Sequence, residues 1–202
     1  MQIMTIKADP KAKALIFDLD GTLSDSLPVH VATWNKVGEK LGFTFDPKIV
    51  YEITGRPTIE FAQRIADDFN LDTDPQEIVR MKQSIFHNSM EFLKPVKEII
   101  EIVKENFGKL PMAVGTGASR KSAELQLKTL GIINFFDAIV TAGDVTRHKP
   151  EPETFLKCAQ LMKVKPEDCQ VFEDGELGLE AARKAGMIVT DVRPFINYGF
   201  WE

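Results

Sequence analysis

Five short runs of β-prone apolar residues punctuate the chain: Ala14–Phe17, Pro111–Gly115, Ala138–Thr141, Gln170–Phe172 and Met187–Thr190. Each is apolar without a break or nearly so, whereas a strand with one wet face alternates apolar and polar residues. These runs are therefore expected to be strands covered on both faces. Between them, apolar residues fall three and four apart: Val96, Ile99, Ile100, Val103 and Phe107; Leu127 and Leu130; Phe155, Leu156, Ala159 and Met162; Leu177, Ala181, Ala182 and Ala185. That spacing marks one face of a helix. Strands and helices in alternation predict the α/β class, a Rossmann-like doubly wound parallel sheet with helices on both sides.

One stretch breaks the alternation. From Leu27 to Leu93 no buried strand is evident, and the apolar residues fit helix faces only: Val31, Trp34, Val37 and Leu41; Phe61, Ala62, Ile65, Ala66 and Phe69; Ile78, Met81 and Ile85. Gly42, Gly55-Arg56-Pro57 and Asp74-Pro75 separate these segments. The reading is a catalytic core of residues 1–25 and 93–202 carrying an inserted all-helical cap at 26–92. A chain of 202 residues has room for one core and such an insertion.

Charge narrows the function classes. With 25 Lys plus Arg against 30 Asp plus Glu, the net charge of -5 offers no general attraction to nucleic acid or anionic membranes. Lys7, Asp9 and Pro10 interrupt the start of the chain before a signal-peptide core can form, and nowhere is there an apolar run of the ~18 residues a membrane helix needs. Cys158 and Cys169 are too few for a disulfide framework and have no zinc-ligand spacing, so they read as packed, reduced thiols. The expectation is a cytoplasmic protein with a small soluble substrate. It is expected to be a monomer, with a dimer left open by the terminal aromatics Phe195, Tyr198, Phe200 and Trp201.

Ligands of open parallel sheets bind beyond the carboxyl ends of the strands. Here those positions carry Asp18-Leu19-Asp20-Gly21-Thr22, Gly115-Thr116-Gly117, Arg147-His148-Lys149-Pro150 and Glu173-Asp174-Gly175. The set suits phosphoryl transfer. Crowded carboxylates need a hard divalent cation such as Mg²⁺, which also clamps a phosphate oxygen. Asp18 would attack phosphorus to give an aspartyl-phosphate, and Asp20 would serve as general acid and then general base. Thr116, Gly117 and neighbouring amides would cradle the phosphoryl oxygens, and Lys149 would offset their negative charge.

In this order the motifs Asp18-Leu19-Asp20-Gly21-Thr22, Thr116, Lys149-Pro150 and Glu173-Asp174, with Gly178 and Ala181-Ala182 following, resemble those of the haloacid dehalogenase superfamily over nearly the whole chain. The helical insert, His148-Lys149-Pro150 and Ala185-Gly186-Met187 are similar to the branch of β-phosphoglucomutases and small sugar phosphatases, and Val114 to Gly117 and Val145 to Phe155 to its fructose-1-phosphate phosphatases. The resemblance implies that Asp18 is the nucleophile and that Asp20 is the acid/base with its main-chain carbonyl on Mg²⁺. It further implies that Asp174 is a metal ligand and Glu173 a direct or water-mediated one. Displacing a halide needs no proton donor, so the presence of Asp20 argues against dehalogenation.

The cap offers His30, Arg56, Thr58 and Lys82. His30 either touches substrate, supports Asp20 or anchors the linker. Arg56 in its glycine-containing loop reads sugar hydroxyls or a phosphate, or is merely solvated. Thr58 falls where the related mutases carry an arginine for a distal phosphate, which speaks against mutase activity. Lys82 matches a lysine of the relatives or is a surface charge, and no apolar pocket of the kind that activates a Schiff-base lysine is evident around it. His87 and His148 are expected at the surface. The reading is a Mg²⁺-dependent phosphatase of small sugar phosphates, with a phosphomutase as the rival. A receiver-type phosphoacceptor lacks both Asp20 and the cap.

Overall fold

The computed structural model describes residues 6–49 and 57–196. Five parallel strands form the main sheet: β1 (Ala14–Phe17), β4 (Met112–Gly115), β5 (Ala138–Val140), β6 (Cys169–Glu173) and β7 (Ile188–Asp191), in the order β5-β4-β1-β6-β7. Successive side chains of a strand point to opposite faces. Accordingly, Leu15 and Phe17 join one apolar cluster, with Ile99, Ile100 and Val103 of α4 (Lys97–Asn106) and Ala123 and Leu127 of α5 (Arg120–Thr129). Ala14 and Ile16 join the other, with Phe155, Cys158 and Ala159 of α6 (Glu153–Met162) and Ala181 and Ala182 of α7 (Glu176–Lys184). The expected doubly wound α/β fold is thus present.

Among the described residues, the inserted segment carries the helices α1 (Leu27–Leu41), α2 (Thr58–Asp68) and α3 (Pro75–His87). Pro28 near the start of α1 and Gly42 at its end, with φ +82, delimit that helix by rigidity and by left-handed freedom respectively. Asp74 caps α3 by accepting from the Gln76 N–H at 2.9 Å. The three helices close over a core of their own in which Trp34 stacks on Phe61 at 4.4 Å. Burying one such large side chain contributes roughly 1.5–3 kcal/mol.

Several expectations need correction. β5 and β7 are only partly covered because they are the sheet edges, and β7 runs one residue later than the sequence suggests, Ile188–Asp191. Leu156 and Phe107 are 37% and 54% exposed, since the inner face of α6 is set by Phe155, Cys158, Ala159 and Met162, and Phe107 lies past the end of α4. On α7, Gly178 and Leu179 face inward, and Leu177 is half-buried. A two-stranded antiparallel ribbon escapes sequence reading altogether: β2 (Ser24–Asp25) pairs with β3 (Lys94–Pro95) where the chain leaves and re-enters the core. Pairs this short leave no periodicity to detect.

Candidate active site

β1, β4 and β6 are neighbours and parallel, so their carboxyl ends share one rim. The Asp18 N–H donates to the Phe172 carbonyl at 3.0 Å, continuing the sheet ladder, so the Asp18 carboxylate is held by the sheet. It meets Glu173 and Asp174 from the end of β6, and oxygens of all three lie within 4.8 Å of one another, all buried. Gly21 has φ +91, and a Cβ there would lie 2.2 Å from Asp174 Oδ2, so both backbone and space demand glycine in this turn.

Lys149 enters from the loop after β5. Its Nζ donates to Asp18 Oδ1 at 2.6 Å and to Glu173 Oε2 at 2.7 Å and lies 4.7 Å from the centre of the Phe155 ring. Burial disfavours its charge, yet the two carboxylates outweigh this and hold the ammonium protonated. One ammonium does not balance three carboxylates. Burial, then Glu173, push the Asp174 carboxyl up to about 8, and the same two causes lead in raising Asp18 against the pull of Lys149. An all-oxygen cluster short of positive charge could hold a divalent hard cation. Glu173 has one oxygen on Lys149 and the other on the Gly175 N–H at 2.9 Å, while Asp174 keeps Oδ1 on the Thr22 hydroxyl at 2.8 Å.

Thr116 is buried at the end of β4, where its hydroxyl oxygen accepts from the Ala118 N–H at 3.0 Å and retains its own hydrogen to donate. Gly117 follows, half-buried.

Asp20 turns the other way, toward the inserted helices. Its Oδ1 accepts from the Ser26 hydroxyl at 2.6 Å and the Gln126 amide at 2.9 Å and meets His30 Nε2 at 3.0 Å. Burial alone would raise this carboxyl, but His30, Ser26 and Gln126 together hold it well below the usual carboxylate range. An ionised Asp20 makes Nε2–H of His30 the donor, which leaves Nδ1 to accept from Lys82 Nζ at 3.0 Å. Burial, then Lys82, lower the His30 pKa, while Asp20 pulls it the other way. Asp20, His30 and Lys82 form one hydrogen-bonded line from core to cap.

Lys82 overturns the expectation of an undistinguished environment. It is 7% exposed, its Nζ sits 4.6 Å from the centre of the Phe86 ring, and burial lowers its pKa to about 8. The reason is the helix period: Ile78, Lys82 and Phe86, four residues apart, form the buried face of α3, while Met81 and Ile85 flank it half-covered. His87 is likewise not free at the surface, because its Nε2 meets the Ser122 hydroxyl of α5 at 2.9 Å, and His148 is half-buried. Thr58 is the half-buried first residue of α2. Arg56, Tyr198, Phe200 and Trp201 lie outside the described residues.

Thr22 donates to Asp174, and Ser26 and Gln126 donate to Asp20, contacts that sequence reading does not assign. Thr22 stands inside the first motif. Gln126 carried a weaker signal, a polar residue one turn beyond Ser122 and beside Leu127 on the face of α5 that packs inward.

The sequence profile of haloacid dehalogenase-like hydrolases matches residues 15–192. The chain belongs to this family. Within it, this hydrolase is 42% identical over 180 residues to the fructose-1-phosphate phosphatase YqaB of Escherichia coli, covering 89% of the chain and 95% of that protein. It is 29% identical to the β-phosphoglucomutase of Bacillus subtilis, covering 87% of the chain and 82% of the relative. Among solved structures, β-phosphoglucomutase from Clostridium difficile superposes with a TM-score of 0.78 at 29% identity, covering 89% of this chain and 84% of that one.

Proposed function

We propose that this hydrolase cleaves small sugar phosphates carrying phosphate on a primary carbon, fructose 1-phosphate first among them, through a phosphoaspartate on Asp18. The observation that carries the reading is the pair of opposed environments on one turn. Asp18 is gripped by Lys149 among carboxylates at the sheet rim, and Asp20 is turned aside onto neutral donors. The 42% identity to a fructose-1-phosphate phosphatase directs it to sugar phosphates.

In this reading the core is 1–25 and 93–202 and the cap 26–92. Asp18 and Asp174, with the main-chain carbonyl of Asp20, would hold Mg²⁺ directly, and Glu173, with both oxygens engaged, would act through water. When bound, Mg²⁺ supplies positive charge to the cluster and to the phosphoryl oxygens. A carboxylate oxygen of Asp18 attacks phosphorus while Lys149, the Thr116 hydroxyl and the Gly117 turn bind the phosphoryl oxygens. The approaching phosphate dianion raises the proton affinity of Asp20, which takes up a proton from solvent as the substrate binds. Asp20 then gives a proton to the departing sugar oxygen as the P–O bond breaks. Water next attacks the phosphoaspartate, Asp20 takes its proton, and phosphate and free Asp18 result. His30 and Lys82 tie Asp20 to the cap, and Arg56 and Thr58 are assigned to the sugar end.

The test is phosphate release from hexose, pentose and triose phosphates with Mg²⁺ present. Hydrolysis of fructose 1-phosphate or a similar ketose or pentose phosphate ahead of bisphosphates is expected, and excess chelator should abolish it. Interconversion of glucose 1-phosphate outrunning hydrolysis would replace this reading with a phosphomutase, which the likeness to β-phosphoglucomutases makes the rival.

A further inference from the structure

Asp20 is held from two sides. Ser26 and His30 belong to the start of the inserted segment, whereas Gln126 lies on α5, between the sheet and the cap helices. The Gln126 side chain is wholly buried, and its Oε1 has no hydrogen-bond partner among the described residues. A buried amide oxygen without a partner destabilises a fold, and an apolar side chain of equal length would avoid that cost. Its Nε2 donates to Asp20 Oδ1 at 2.9 Å. Among the described residues, every hydrogen bond to the Asp20 side chain ends on Oδ1, which leaves Oδ2 to exchange a proton with the substrate.

We infer that Gln126 is a positioning residue for proton transfer, a core-side tether that fixes the Asp20 carboxylate with Oδ2 toward the leaving oxygen. Ser26 and His30 are carried on the cap side, so Gln126 supplies a hold on Asp20 that comes from the core. The inference rests on the role of Asp20 proposed above. The proton passes from Oδ2 to the sugar oxygen as the P–O bond breaks and returns to Oδ2 from water in the second step. Gln126 touches neither substrate nor reacting atoms.

The experiment compares wild type with Gln126→Met, and with Gln126→Leu should the methionine variant fail to fold. It measures steady-state turnover of fructose 1-phosphate and the pre-steady-state burst of nitrophenol from 4-nitrophenyl phosphate, both with Mg²⁺. Nitrophenolate leaves without a proton, so its burst reports attack by Asp18 alone. The expected result is a roughly 10–100-fold fall in kcat on the sugar phosphate, the scale of a misplaced catalytic group. KM should stay within about twofold, the burst rate should be unchanged, and Tm should be equal or higher. In an Asp20→Asn background, Gln126→Met should cost nothing more.

Equal losses in burst and sugar turnover, a fall in Tm alongside them, or an additive loss in the Asp20→Asn background would make Gln126 a structural residue and overturn the inference. If Asp20→Asn is crippled while Gln126→Met is not, the inference fails and the role of Asp20 stands. If Asp20→Asn turns over sugar phosphate like wild type, the reading of Asp20 fails and takes the tether with it.

Discussion

Two aspartates separated by a single leucine have opposite surroundings, and that difference predicts different failures. Asp18 shares a buried cluster with Glu173 and Asp174, and among the described residues Lys149 alone pairs with it to oppose their charge. Asp18→Asn is nearly isosteric and should abolish turnover and phosphoenzyme while keeping the fold, as circular dichroism and acid-quench labelling would show. Asp20→Asn keeps the nucleophile and should slow sugar phosphate turnover by about 10²–10⁴-fold. Lys82 makes a prediction about pH. Its pKa falls from 10.5 to about 8 on folding, so between those values the unfolded chain holds a proton the folded chain lacks. The folded state is therefore penalised below about pH 8, and the penalty is relieved as pH rises toward 10.5. Lys82→Met should be more stable than wild type at pH 7, by on the order of 2–3 kcal/mol at most. Denaturation at a series of pH values should show that gap closing toward pH 10.

At the scale of elements, a helix must approach a strand end closely enough to place charge. A Cβ on Gly178 of α7 would lie 2.0 Å from Glu173 Oε2, the oxygen that holds Lys149. Gly178→Ala cannot be absorbed by backbone freedom there. It should push Glu173 off Lys149, costing on the order of 1–3 kcal/mol in thermal unfolding and most of the turnover. Gly143, in a short helical turn, has open space within 4 Å of where a Cβ would stand, and Gly143→Ala should stay within about 0.5 kcal/mol and keep activity.

For the whole molecule, the cluster and the cap each couple a local contact to a global readout. A cation that binds the folded chain alone stabilises it by about 2.7 kcal/mol at a hundred times its dissociation constant. Mg²⁺ should therefore raise Tm, and Asp174→Asn should remove most of that rise in a thermal-shift titration. Cap and core meet through His30 and Lys82 at Asp20, and through His87 at Ser122. A substrate large enough to touch both sides gains from closure, whereas acetyl phosphate does not. Lys82→Met should accordingly damage turnover of fructose 1-phosphate more than that of acetyl phosphate, and equal losses would remove the cap from specificity.

The sequence determined those features whose cause is local. Continuous apolar runs, helical stripes and the polar residues immediately past each run identify the sheet, the inserted helices and the positions of Asp18, Asp20, Thr116, Lys149, Glu173 and Asp174, because strand ends in a parallel sheet must lie on one rim. Which way each side chain turns was decided by tertiary structure. Asp18 and Asp20 look alike in sequence, and only packing gives one a lysine from 131 positions away and the other a glutamine from 106. Lys82 reads as either a substrate-facing cap lysine or a surface charge until α3 is rotated so that Ile78, Lys82 and Phe86 face inward. Gln126 reads as a helix residue until α5 is laid against the turn after β1. Hydrogen bonds and charge depend on distances between elements, and those distances are fixed only when the clusters on the two sheet faces and under the cap pack together.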